Sequence, residues 1–483
     1  MKSNILLTGT ILLFSLLFFS CSKDAMDKIN VNPNNPQNVA AKFIMTDVMT
    51  STAFNCAGSD LNFYASVYME HNVGIYGQMY TAEVRKACAD ATTYDNTWGQ
   101  LYANLFDLKT VIKKCSVGGS EAGNVKTMGM AQILSAYNLA LLTDLFGDVP
   151  WTEACQPGVI FTPKVDKQQD IYAAINKMLN DAIVNIKTPS KFPLMGAQDV
   201  IYGGDTLKWV KAAYGLKARY AARLAFQKAD WDAVITNANL SFVNASESFT
   251  FNKYDGSAAA SPNYSFYNDR DYFGASVSLN NKIIARNDPR AALFFVKYPD
   301  KSVKSLVFAP NGIVEPGQYY YGISGLISPT EPTHLMSYHE LKFLVAEAYA
   351  RKGDFVSAET ALKAAISAAF VNVGLTATDA DNYYTANTAL KFIANPLQEI
   401  MIQKYLAFYD QESIEAYNDY RRLEAMGNHF ITLENPSNSL SNYGFPQRYI
   451  YGKSDLDANP NLVKANSSIN IFKDKVWWAG GTK

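Results

Sequence analysis

His71, His334, His339 and His429 are the four histidines of this 483-residue chain. His334 and His339 stand five residues apart, on poorly matched faces of a helix, and no HExxH pair is present to hold zinc. A Gly-x-Ser-x-Gly nucleophile elbow is absent, and so is a Gly-rich phosphate loop followed by Lys. Asp379 and Asp381 are spaced as a carboxylate pair of the kind glycoside hydrolysis uses. In a stretch of Thr, Asp and Asn, however, such groups read as solvated turn residues. The motifs point to a protein that is not an enzyme and carries neither cofactor nor metal.

Aromatic side chains are more informative. They make up 13% of the chain, with 30 Tyr and 27 Phe. Tyr joins an apolar body to a polar tip, which suits a partly wet recognition surface. Tyr64 and Tyr68 lie at helical i, i+4 spacing and read as packed. Tyr76 and Tyr80 flank Gly77 in a loop-like stretch. Tyr264, Phe266, Tyr267, Tyr272 and Phe273 alternate with Asn, Asp and Arg in SPNYSFYNDRDYFGAS, either as a ligand platform or as loop packing. Tyr319, Tyr320 and Tyr321 follow Pro316-Gly317 and read as a strand, with Tyr320 on the opposite face from its neighbours. A neutral glycan presents flat C–H faces and many hydroxyls, so its site needs exposed rings beside amides or carboxylates. Tyr76, Tyr80, Tyr264, Tyr267, Tyr272 and Tyr320 supply candidate rings, and Asn263, Asn268 and Asp269 supply candidate polar partners.

The amino-terminal stretch raises a different chemistry. Lys2 and an apolar run from Ile5 to Phe19 have the layout of a secretory signal, too short to span a bilayer comfortably. Ser20 precedes Cys21, which suggests cleavage before Cys21 and acylation of the new terminus. Phe18 stands where a lipobox usually has Leu, and ordinary secretion with a Cys21 thiol or disulfide is the alternative. Several acyl chains on one Cys give a stable anchor where a single chain is marginal. The expected organisation is a signal peptide over 1–20, a lipidated extended linker over 21–38 and a single ligand-binding domain over 39–483. Cys56, Cys88, Cys115 and Cys155 remain, either as two disulfides in one of three connectivities or as free buried thiols. They form no CxxC, which argues against a zinc site.

A formal net charge of −1 and the lack of a basic block argue against nucleic acid or an anionic membrane surface as partner. At 48% hydrophobic and 18% charged residues, the chain has ample material for a large core.

The elements that must position the tyrosines read as mainly helical. Residues 129–146 are apolar on both flanks and end at Gly147, with Pro150 beyond. In 337–370, Ser337 and Glu340 form a capping box, Lys352-Gly353 breaks the helix, and Asp354 caps the next one. Ala346, Tyr349, Gly353, Ala358, Leu362 and Ala365 fall at the spacings of a tetratricopeptide repeat. Residues 206–243 repeat this design through QKADW, and 129–146 with 168–187 form a third pair. The expected fold is an α-solenoid scaffold of such pairs with long ordered loops, over 244–280, 299–333 and 426–470, and minor β-hairpins.

Seven segments in chain order resemble the SusD/RagB family of nutrient-binding outer-membrane lipoproteins. They are CSKD from Cys21, INVNPNNP at 29–36, LTDLFGDVPWTEA at 142–154, NDPR at 287–290, HELKFLVAEAYARKGD at 339–354, ESIEAYNDYRRLE at 412–424 and FPQRYIYGKSDLDANP at 445–460. Read from the residues, Gly147–Pro150 is a helix stop, and Arg421, Arg422 and Asp419 form a buried ion network that ties loop to solenoid. The resemblance implies four tetratricopeptide-like pairs, with loops building the binding face, and a lipoprotein at the outer face of the outer membrane. Ser22-Lys23-Asp24 resembles the export signal that places it there. A TonB-dependent barrel is the implied partner, and the implied cargo is oligosaccharide, or peptide in one branch. A secreted hydrolase on a helical scaffold is the reading from another class.

Overall fold

The computed structural model describes residues 38–298, 305–435 and 443–482. Cys21, with the expected signal and the linker up to residue 37, lies outside the described residues.

The scaffold is a succession of antiparallel helices. We label them α1 (Ala41–Ser51), α2 (Asp95–Cys115), α3 (Val125–Phe146), α4 (Gln168–Lys187), α5 (Thr206–Arg223), α6 (Trp231–Asn239), α7 (Tyr338–Arg351), α8 (Phe355–Asn372), α9 (Pro396–Ala407) and α10 (Ser413–Ala425). The three expected pairs form as α3–α4, α5–α6 and α7–α8; α4 packs on α5, α6 on α7, and α9 on both α7 and α8. One hydrophobic core runs through them from Ala41 to Ala479. From Gly129 to Phe146 every residue of α3 is buried, as its two apolar flanks require.

Local chemistry sets the helix ends. Asp230 caps α6 by accepting from Ala233 N at 2.9 Å, and Asp354 caps α8 by accepting from Ser357 N at 3.0 Å. Ser337 caps α7 through Glu340 N at 3.1 Å, but the reciprocal half of the expected box is missing. The Glu340 carboxylate is bound by Arg219 Nε at 2.7 Å, a charged partner that outcompetes the backbone N–H. Gly147 ends α3 with φ +80°, and a Cβ there would sit 2.9 Å from the Arg448 guanidinium. That guanidinium donates to the Phe146 carbonyl, one of the orphan acceptors at the end of α3.

The expected ion network is present and buried. Arg422 forks onto Glu347 with two bonds of 2.7 Å and reaches Asp419 at 2.9 Å, while Lys404 holds the other Asp419 oxygen at 2.7 Å. Arg421 ties loop to solenoid through the carbonyls of Gln447 at 2.9 Å and Asp144 at 2.8 Å. Glu347 is held at about 2 against its burial, chiefly by Arg422 and then Arg351. The four cysteines are free: Cys56, Cys88 and Cys115 are buried and Cys155 half-buried.

The strands are short and pair in twos: β1 (Asn72–Gly74) with β3 (Phe273–Ala275), β2 (Phe249–Phe251) with β6 (Thr333–Met336), and β4 (Phe295–Val296) with β5 (Ile323–Ser324). All three ribbons are antiparallel, and they join segments far apart in sequence rather than the neighbours a hairpin would join. They stitch the long connections to one another and to the scaffold. Two local expectations change. SPNYSFYNDRDYFGAS is not a loop, because Pro262 opens a helix that runs to Asp269 before β3 begins. Tyr319–Tyr321 is a turn rather than a strand, with Tyr319 at φ +64°.

Candidate functional site

The β1–β3 ribbon brings two distant tyrosines together. Gly74 pairs with Phe273, and one step further Ile75 N donates to the Tyr272 carbonyl at 2.9 Å. Tyr76 and Tyr272 therefore leave the same end of the ribbon, with ring centroids 5.7 Å apart and planes inclined at 50°. Glu315 N donates to the Ile75 carbonyl at 3.1 Å, which lays a third segment beside them. Behind the ribbon, buried Glu83 accepts from Asn311 Nδ2 at 3.0 Å and Gly312 N at 2.9 Å and fixes the approach to that segment.

Gly77 completes the arrangement. Its φ is +53°, and a Cβ there would fall 2.6 Å from the Tyr272 ring. Only glycine both adopts this turn comfortably and lets the Tyr272 ring lie against the backbone.

These segments enclose a cleft of about 580 Å3 lined by Tyr76, Asp269, Arg270, Asp271, Tyr272, Glu315, Gly317 and Gln318. Tyr76 is 57% exposed, so one ring face is open. The Arg270 guanidinium lies 5.6 Å from the Tyr272 ring centre. Asp271 is buried and accepts from Tyr319 N. Burial, with the Asp271 charge added to it, pushes the Glu315 carboxyl up to about 7. Near neutral pH that group both donates and accepts, as a sugar hydroxyl does.

A second cleft of about 450 Å3 adjoins the first across Gln318–Tyr319 and Asn268–Asp269. Tyr264, Tyr267, Asn268, Tyr298, Tyr319 and Ser324 contribute to it, and the Tyr298 and Tyr319 rings meet edge to face at 4.8 Å.

The candidates thus divide. Tyr76, Tyr272 and Asp269 meet at the first cleft, while Tyr264, Tyr267 and Asn268 meet at the second. Tyr267 is no exposed platform: it is 2% exposed and its hydroxyl donates to Asn72 Oδ1 at 2.8 Å. Helical spacing within Pro262–Asp269 turned it inward. Tyr80 sits half-buried in the helix Gly77–Glu83, and lines neither cleft. Tyr320 is 44% exposed, its ring edge-on to Tyr321 at 5.0 Å and outside both linings. Asn263 is buried and donates to Glu331 at 3.5 Å.

Arg270, Asp271, Glu315 and Gln318 were not among the candidates. The Pro316-Gly317 turn beside the tyrosine triplet was the signal for the last two. Asp379 and Asp381 sit in a short helix, Ala377–Tyr383, rather than in a turn; half-buried Asp379 completes the capping box with Thr376, and Asp381 is exposed. His334 lies in β6 and His339 in α7, so no helix carries both.

Among the described residues, no group of three or more His, Cys, Asp and Glu side chains is placed to hold a metal ion. No described helix is long and apolar enough to cross a membrane.

Comparisons with known proteins agree with this architecture. No curated protein sequence matches the chain. A SusD/RagB family protein from Bacteroides thetaiotaomicron is 41% identical and superposes with a TM-score of 0.87, over 92% of this chain and 100% of that one. A chitin-binding SusD homolog from Flavobacterium johnsoniae is 18% identical with a TM-score of 0.73, over 91% and 99% of the two chains, and shares the fold. A SusD homolog from Bacteroides uniformis behaves alike, at 20% identity and a TM-score of 0.73 over 92% and 100%. Residues 33–452 match the SusD-like family described as starch-binding and associating with the outer membrane, and the chain belongs to that family.

Proposed function

We propose that this chain is a lipid-anchored receptor at the cell surface that holds a neutral oligosaccharide in the Tyr76–Tyr272 cleft and passes it to a TonB-dependent barrel. The observation that carries the reading is the convergence of an open Tyr76 face, the Tyr272 ring, Arg270, Gln318 and three carboxyls on one cleft. Sugar C–H faces stack on the rings, Arg270 and the Gln318 amide donate to hydroxyls, and the carboxyls accept from them. Family membership supports glycan binding, and the anchor rests on Cys21.

A binding screen of starch- and chitin-derived oligosaccharides against a peptide library tests the cargo. Binding of a neutral glycan, and its loss in Tyr76→Ala, is the expected outcome; capture of peptides alone overturns it. Multiple turnover of any bound glycan by the purified protein would establish a hydrolase instead. Cys21→Ala should release the protein from the membrane fraction of cells lacking the barrel. Gentle-detergent purification of the wild type should recover a TonB-dependent barrel with it.

A further inference from the structure

A larger cleft, of about 770 Å3, lies between the scaffold and the β2–β6 ribbon. None of the residues that form the Tyr76–Tyr272 cleft lines it. Its floor is the small-residue face of α8, Ala364, Ser367 and Ala368, which leaves the space unfilled. Tyr202 and Tyr338 contribute rings, and Asn252, Asn372 and Thr250 contribute polar groups. The volume suits a short oligomeric ligand, since ligand sites span about 300–1,000 Å3.

Charge distinguishes it from the first cleft. Its lining includes Lys208 and Lys253 and no Asp or Glu. Among the described residues, Lys208 Nζ hydrogen-bonds the Ser246 carbonyl alone, at 3.3 Å, with Glu247 within electrostatic reach, and exposed Lys253 has no carboxylate partner. The acids that come near are already matched: Glu247 by Lys211 at 2.6 Å and Glu412 by His339 at 2.6 Å. Half-buried His334 bonds Thr250 Oγ1 at 2.8 Å and Asn372 Oδ1 at 3.2 Å, and desolvation pushes its imidazole below the usual value. A third cation, Lys342, lies 5.1 Å over the Tyr338 ring. Two lysines that form no ion pair among the described residues, at a polar, ring-edged cavity, attract an anion that also carries hydroxyls.

We propose that this cleft is a second binding site, for an oligosaccharide bearing carboxylate groups, the uronate class. Lys208 and Lys253 meet the carboxylates, while Asn252 and Asn372 meet the hydroxyls. The first cleft, with Asp269, Asp271 and Glu315 against Arg270, suits neutral sugar and disfavours an anion. One chain would thus hold the neutral and acidic parts of a mixed polymer at separate places. This inference stands independently of what the Tyr76–Tyr272 cleft binds.

The test is calorimetric titration of the full chain with trigalacturonic acid and with its methyl ester, which keeps the shape and removes the charge. Wild type should bind the acid at least tenfold more tightly than the ester. Lys208→Gln with Lys253→Gln should weaken the acid at least tenfold, as should Ala368→Trp, which fills the floor; Tyr76→Ala should leave it unchanged. Should Ala368→Trp not fold, the lysine pair alone decides. Absence of binding by wild type, equal binding of acid and ester, or loss in Tyr76→Ala with no loss in the lysine variant would overturn the proposal.

Discussion

Carboxyl groups in the scaffold and in the loop face have opposite neighbours. Around α7, α9 and α10, Glu347 and Asp419 are buried against Arg422, Arg351 and Lys404, which hold both groups below the ordinary carboxylate range. Glu412 is likewise held at about 2 by His339. On the loop face, burial and then Asp271 raise Glu315, while burial and then Asp410 raise Glu331 well above its usual value. Asp410 itself is raised by burial. The Glu347, Asp419 and Glu412 cluster of the scaffold pairs charges of opposite sign, while elsewhere in the scaffold burial raises Glu340 and Asp144 despite Arg219 and Arg223; the loop face sets acids beside acids without a cation between them. Strong cation–carboxylate pairing suits a rigid frame, whereas an acid with an uncommitted proton suits a surface that must bind hydroxyls.

The largest way to break this contrast is to remove one side of a scaffold pair. Arg422→Ala leaves Glu347 and Asp419 buried with less compensation, and should cost about 3–5 kcal/mol of stability in chemical denaturation. A loss below about 1 kcal/mol would mean that the network is solvated.

Next in size is the contrast between two tyrosines only five positions apart. Tyr267→Ala empties a fully packed position and breaks the bond to Asn72, so it should destabilise by about 3 kcal/mol or more. Half-buried Tyr272→Ala should cost less than about 1 kcal/mol. Equal losses in thermal melts would place both rings in the core and remove Tyr272 as a binding surface.

The pH dependence sharpens the comparison with opposite signs. Glu347 and Asp419 have depressed folded values, so their stabilisation is complete above the unfolded carboxylate range and is lost as pH falls through the folded values, about 2 for Glu347. Glu331, Asp410 and Glu315 have raised folded values, so their contribution is complete below that range and is lost as pH rises through the folded value, about 7 for Glu315. Asp410→Asn should therefore flatten the decline of stability above pH 5 while leaving the acid limb unchanged. Glu347→Gln should weaken the protein and flatten the acid limb instead. The reverse pattern in denaturation curves across pH would undo the assignment. The smallest expected effect is Glu315→Gln, which should remove only the part of the slope between the unfolded carboxylate range and about 7.

The scaffold was legible because helices report themselves locally. The apolar flanks of 129–146 and the caps at Asp230 and Asp354 each depend on neighbours within a turn or two. Arg421, Arg422 and Asp419 were legible too, since so many charges on one short helix beside apolar positions need buried partners. The site was legible only in part. Tyr76 and Tyr272 meet through a ribbon between segments far apart in the chain, and no local pattern carries that pairing. Tyr267 was misplaced because alternation with polar residues suggested an exposed platform in a loop, while Pro262 started a helix and rotated the ring inward. Glu315 and Asp271 become interesting only once the backbone bond from Glu315 N to Ile75 brings them together.

The central claim is that the Tyr76–Tyr272 cleft is the neutral-glycan site and that the scaffold only holds it in place. Calorimetric titration of wild type, Tyr272→Ala and Gly77→Ala with the neutral oligosaccharide selected in the screen tests it most directly. Gly77→Ala belongs in the set because its methyl would meet the Tyr272 ring. Both variants should keep their fold and bind at least tenfold more weakly, the loss of a central aromatic anchor worth about 2 kcal/mol or more. Wild-type affinity in both variants, with the fold intact, would contradict the account and move the site elsewhere.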